Sequence, residues 1–251
     1  MLMRLPLSDP RTIAREIPGL FDALFPQLAQ GVVAGLNRRA VSLDDCLEVP
    51  QELVDATKIQ RAMLFEVAVA AAEQLIEGSQ AVDWGGCLLT AVARQREHFD
   101  AKLPEELSAV EKEVSLKVAE NLVAILKHVR LSSGGFDLVR APAIPGYQWV
   151  ASGVGDFSVG SALIEVKCTN KRFSASDYRQ ILTYWLLSYC AALESGAVEW
   201  TLGFLVNPRL NLIVRFSFDE IISIVAAGKS KIDLVELFSS LLEDRAVITS
   251  A

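Results

Sequence analysis

The feature that most constrains this 251-residue chain is a change of hydrophobic period just after Ser132-Ser133-Gly134-Gly135. Before that break, apolar residues recur at helical spacing, as in Phe21, Leu24, Phe25 and Leu28, and again in Val114, Val118, Leu122, Ile125 and Val129. After it the period falls to two, in runs around 136–140, 147–151, 154–159 and 162–169. Helical spacing returns from Ser174 to about Glu194 and ends at Ser195-Gly196. Two more strands follow, at 199–206 and 210–218, around Asn207-Pro208, and two short helices near 219–227 and 231–243 close the chain. This order predicts an α/β or α+β core near residues 104–218.

The first hundred residues read as helical. Pro10 suits a helix start and Pro26 a stop or kink. Residues 50–78 read as one long Ala-rich helix, and Gly85-Gly86 as punctuation before another that runs to about Phe99. Pro104 suits the first turn of the helix over 104–130. The chain therefore divides into a helical N-terminal region, 1–103, and a core with C-terminal helices, 104–251.

Between the strands at 154–159 and 162–169, Gly160-Ser161 is a two-residue hairpin signal. A turn there pairs Val159 with Ala162 and Phe157 with Ile164, and so sets Asp156 opposite Glu165. Side chains alternate along a strand. Phe157, Val159, Ala162, Ile164 and Val166 then share a core face, and Val154, Asp156, Ser158, Leu163, Glu165 and Lys167 share the other. Directly opposed like charges destabilise a sheet, and a hard divalent cation removes the conflict, because Mg²⁺ prefers carboxylate oxygens. A solvated surface hairpin is the plain alternative, and carboxylates that diverge, or that are buried in ion pairs with arginines, would remove the catalytic reading.

The segment Gly155-Asp156, eight residues, then Glu165-Val166-Lys167 resembles the PD-(D/E)xK nuclease superfamily. The resemblance implies a restriction-endonuclease-like fold, with a mixed central sheet flanked by helices. It also implies a metal held by Asp156, Glu165 and the backbone carbonyl of Val166, with Asp156, Glu165 and Lys167 catalytic. Gln180-Ile-Leu-Thr-Tyr184 on the next helix resembles the Gln-x-x-x-Tyr motif of the RecB-like and Cas4-like branch. It implies that Gln180 and Tyr184 contact nucleic acid or brace the site. At about 100° per residue, Asp177, Gln180, Tyr184 and Ser188 form a polar stripe opposite Tyr178, Ile181, Leu182, Trp185 and Tyr189. Lys171, Arg172 and Arg179 are candidate phosphate contacts. Glu120 is the candidate third acidic ligand, ahead of Glu113, and His98 and His128 are weaker stand-ins for an upstream histidine.

The expected activity is Mg²⁺-dependent hydrolysis of phosphodiester bonds, with Mn²⁺ substituting and DNA preferred to RNA as substrate, in restriction, repair or antiphage defence. The alternative is a catalytically silent interaction subunit on the same fold. Net charge is −7, whereas nucleic-acid binders generally show a basic face, and the mean hydropathy of +0.32 is high. Both features predict a homo-oligomer or a protein partner. Four cysteines without a CxxC pair read as reduced thiols of a cytoplasmic protein, and the Cas4-like iron–sulfur cysteine set is missing. No apolar run is long enough for a membrane span. Ala227-Gly-Lys-Ser230 echoes the end of a P-loop, but its earlier glycine is replaced by Ser223.

Overall fold

A computed structural model describes residues 9–16, 19–96 and 105–248. His98, Phe99 and Pro104 lie outside them. Six helices come first: α1 (Pro10–Glu16), α2 (Leu20–Leu24), α3 (Gln30–Asn37), α4 (Gln51–Asp55), α5 (Arg61–Ile76) and α6 (Trp84–Arg96). The long α7 (Ala109–Ser132) leads into β1 (Leu138–Arg140), β2 (Ala143–Ile144), β3 (Gly153–Val154), β4 (Phe157–Val159) and β5 (Ala162–Val166). Then come α8 (Ala175–Ser195), β6 (Leu202–Asn207), β7 (Leu212–Ser217), α9 (Phe218–Val225) and α10 (Lys231–Ile248).

The main sheet is mixed, in the order β1-β4-β5-β6-β7, and β2 with β3 forms a small separate ribbon. Among the described strands only β5 and β6 run parallel, because α8 carries the chain back between them. The hairpin register is the expected one: Val159 pairs with Ala162, Ser158 with Leu163 and Phe157 with Ile164.

Helices cover both faces of the sheet, so its central strands are buried on both sides, as a sheet between two helical layers requires. On one face Phe157, Val159, Ala162, Ile164, Val166, Phe204 and Val206 pack with α5, α6 and α7, whose stripe includes Leu122, Ile125 and Val129. On the other face Leu163, Leu205, Val214 and Phe216 pack with α8, α9 and α10 and with α1 to α3. Residues of the N-terminal helices therefore complete the same two cores as residues 105–248.

Four local expectations need correction. The stretch 50–78 is two helices, broken at 56–60. There the Glu111 carboxylate, from the start of α7, accepts the N–H groups of Lys58 (3.0 Å) and Ile59 (3.1 Å). That tertiary bond satisfies backbone donors that a continuous helix would have used internally. Gly85 and Gly86 lie inside the first turn of α6, where the Asp83 carboxylate accepts the Gly85 N–H (3.1 Å). The helix expected from 104 begins at Ala109, behind a Ser108–Glu111 capping box. The 147–151 run is not a strand; it makes only the isolated bridge Tyr147–Val150.

All four cysteines are free. Among the described residues, no helix is long and apolar enough to cross a membrane.

Candidate active site

The bend before β4 and strand β5 carry the acidic pair, and α8 packs over it. Gly155 and Asp156 lie where the chain leaves β3 and enters β4, with Asp156 at a bend. The Asp156 carbonyl accepts the Ala141 N–H (3.0 Å), which extends the β1–β4 pairing by one residue. Its carboxylate reaches across the hairpin, where Oδ2 accepts the Val166 N–H at 2.8 Å.

Glu165 is 2% exposed. Its Oε1 accepts from Lys167 Nζ (2.9 Å) and from Gln180 Nε2 (2.6 Å). Its Oε2 is buried and has no partner. A buried carboxylate oxygen without a donor is costly. Burial, reinforced by the charge of Asp156, pushes the Glu165 carboxyl up to about 7, against the pull of Lys167 and Arg11.

Lys167 is clamped from three sides. Its ammonium donates to Glu165 Oε1 and Gln180 Oε1 (2.8 Å), and Asp177 Oδ1 lies 3.8 Å away. Gln180 is the hub, since its amide also donates to the Tyr184 hydroxyl (2.9 Å). The Ser174–Asp177 capping box starts α8 at a fixed point, which sets Gln180 and Tyr184 one turn apart toward the pair. The stripe expected to be polar is not a wet face: Gln180 (3%), Tyr184 (0%) and Ser188 (4%) are all buried. The middle of α8, from Gln180 to Ser188, is buried all round, so Gln180 and Tyr184 look inward, whereas Asp177 at its start is only half-buried.

The cluster opens into a cleft of about 700 Å³ lined by Asp156, Glu165, Val166, Lys167 and Gln180 on one side. The opposite wall includes Arg61, Phe65, Glu66, Glu73 and Arg94 from α5 and α6. Five expected site residues, namely Asp156, Glu165, Lys167, Gln180 and Tyr184, are thus brought together, and Val166 lines the same cleft. The other candidates lie elsewhere. Glu120 is exposed on α7 and does not line the cleft, and neither do the exposed Glu113, which pairs with Lys117, and the exposed His128. The Arg172 guanidinium donates to the Asn37 carbonyl (2.9 Å), and Arg179 pairs with Asp22 (3.0 Å). Lys171 is exposed and does not line the cleft.

Among the cleft residues that escaped the sequence reading, two bear directly on Asp156. Arg11, on α1, donates from Nε to the Tyr184 hydroxyl (3.1 Å), and its Nη2 lies 3.5 Å from Asp156 Oδ1. Burial opposes its charge, yet Tyr184, Asp156 and Glu165 together hold its pKa above the ordinary arginine value. The second is Glu66, whose carboxyl is raised by burial, with Asp156 adding to the shift and Arg94 and Arg11 opposing it. Glu66 and Glu73 stand seven apart in an Ala-rich run, which places them on one helix face. That spacing was the available signal. Nothing in the sequence around Arg11 points to Asp156.

Among the described residues, no three Asp, Glu, His or Cys side chains gather closely enough to hold a metal ion by themselves. A cation here would rest on Asp156, Glu165 and the Val166 carbonyl, with water completing its shell, as suits Mg²⁺. The donor set fits such an ion on one specific ground: the buried Glu165 Oε2 is an acceptor without a donor.

Comparison of the chain with protein-family models, with curated proteins and with solved structures finds no match.

Proposed function

We propose that the chain is a Mg²⁺-dependent nuclease that hydrolyses phosphodiester bonds, with DNA as the expected substrate. The observation that carries this reading is Glu165. The fold buries a carboxylate, leaves one oxygen without a donor and sets an ammonium against the other. Stability alone does not favour such an arrangement, since an apolar residue of similar volume generally serves a core as well or better.

Each residue has a definite task. Asp156 and Glu165 would hold the cation. When bound, the cation supplies charge neutralisation at the phosphate and a more acidic water. Lys167 presents a fixed positive charge beside the carboxylates, where negative charge develops on a phosphate under attack. Gln180 keeps that ammonium and the Glu165 carboxylate in register, with Tyr184 behind it. Of the basic residues that line the cleft, Arg61 and Arg94 pair with Asp55 and Glu73, and Arg209 pairs with no acid among the described residues, which leaves a local positive charge for a polyanion on an acidic protein.

A second reading, a silent interaction subunit on the same fold, draws on the Arg11–Asp156 pair, because a guanidinium at Asp156 competes with a cation there. The pair is long at 3.5 Å, and both side chains are partly open, at 35% and 22%. A divalent ion at Asp156 would have to displace this half-buried guanidinium, and the length of the pair favours that exchange.

The test is cleavage of plasmid and linear DNA with Mg²⁺ or Mn²⁺ by wild type, Asp156→Ala and Lys167→Ala. Metal-dependent cutting by wild type alone, lost in both variants by a factor of at least ~100, is the expected result. Equal behaviour of all three proteins ends the nuclease reading.

A further inference from the structure

The turn joining β6 to β7 is held by three buried asparagines. Asn207 donates to the carbonyls of Thr169 (3.0 Å) and Lys171 (3.3 Å), and its Oδ1 accepts the N–H groups of Arg209 (3.2 Å) and Leu210 (3.3 Å). Asn211, at φ 49°, donates to the carbonyls of Leu43 (2.7 Å) and Cys46 (2.8 Å). From α7, Asn121 donates to the Pro208 carbonyl (2.8 Å), and the Val49 N–H donates to the Arg209 carbonyl (2.8 Å). These bonds fix the backbone on both sides of one side chain, Arg209.

Arg209 is 4% exposed and lines the cleft past the carboxyl ends of β5 and β6, beside Cys168, Thr169 and Asn170. Its guanidinium donates to the neutral Gln51 Oε1, and its Nε is buried without a partner. Other cations of the cleft each face an acid: Arg11 faces Asp156, Arg61 Asp55, Arg94 Glu73, and Lys167 Glu165. Among the described residues no carboxylate lies within ion-pair distance of Arg209. A buried cation without a counter-charge is strongly unfavourable, and here a rigid mount holds it at the floor of an open cleft.

We propose that Arg209 is the anchor of a phosphate-binding subsite, set past the carboxyl ends of β5 and β6 from the Asp156–Glu165–Lys167 cluster. A guanidinium suits this task because its planar fork takes two phosphate oxygens at once. The identification of the phosphate as part of a nucleic-acid strand rests on the nuclease reading. A free phosphate or a phosphomonoester shares the chemistry.

The experiment uses the full chain in EDTA, so that binding is read without cleavage. A fluorescein-labelled oligonucleotide is titrated against wild type and Arg209→Gln, which keeps a polar partner for Gln51. Thermal melts of both proteins are followed with added inorganic phosphate and with sodium chloride at equal ionic strength. The expected result is oligonucleotide binding about 10-fold weaker in Arg209→Gln, with the salt slope reduced by about one ion, and a phosphate-induced rise in Tm in wild type that the variant lacks. A phosphate response lost in the variant while oligonucleotide affinity stays equal supports the subsite and assigns it to a small phosphate, against the nuclease reading. If phosphate raises the wild-type Tm no more than chloride does and fails to compete with the oligonucleotide, the subsite is overturned without recourse to any variant. Equal oligonucleotide affinity and equal phosphate response in wild type and Arg209→Gln overturn it as well.

Discussion

Replacing Glu165 with glutamine separates a carboxylate kept for function from one kept for stability. The folded protein raises this carboxyl from its ordinary 4.5 to about 7, chiefly by burial and then by the charge of Asp156. Below about pH 4 both the folded and unfolded chains hold the proton, and the group contributes nothing to pH dependence. Between the two values only the folded state stays protonated, so stability falls as pH rises. Above pH ~7 the accumulated loss is roughly 3 kcal/mol. Glutamine presents an oxygen to Lys167 and Gln180 as Glu165 does, and it never ionises. Glu165→Gln should therefore match wild type near pH 4 and exceed it at pH 8 by about 3 kcal/mol, or roughly 6–12 °C in Tm for a chain of this size. Denaturant unfolding in EDTA across that range measures the difference, and cleavage with Mg²⁺ in parallel should show the stabilised variant inactive. The reasoning is refuted if the variant is the less stable protein at pH 8, because the Glu165–Lys167 pair would then be a structural bond.

Arg11→Met removes a guanidinium that faces Asp156, and its loss should tighten Mn²⁺ binding about 3- to 10-fold, a change set by the missing repulsion. Titration calorimetry reads it directly, and unchanged or weaker binding would count against a cation site at Asp156. Ser174→Ala breaks the capping box that starts α8 and should cost about 1 kcal/mol in urea unfolding. It should also lower cleavage, because Gln180 and Tyr184 take their positions from that helix start. A variant with lowered stability and full activity would show that the cap does not set the site.

Much of the acidic hairpin was legible before any coordinates. Gly160-Ser161 specifies a two-residue turn, and a turn of that length dictates which residues oppose each other. The register therefore follows from local chemistry, and the same holds for α8 between Ser174 and Gly196, where a capping side chain and a glycine at φ 71° mark its ends. The break at 56–60 was not legible, because the group that stabilises it, Glu111, is more than fifty residues away. Glu120 was chosen from the sequence because it lies off the core stripe of α7. That argument finds an exposed carboxylate, and it cannot distinguish exposure to solvent from exposure to a cleft.

Residue order alone determined the α/β class and the hairpin pairing that joins Asp156, Glu165 and Lys167, since turns, caps and periodicity act over a few residues. Gln180 and Tyr184 were expected there only from the family resemblance, and they reach it because α8 packs on the sheet. Tertiary packing decided the charge environment of those groups. It brought Arg11 to Asp156, raised Glu66 and Glu165 by burying them, and left Arg209 without an acid. Electrostatic energy depends on distance and on exclusion of water, and both are set by segments far apart in the chain.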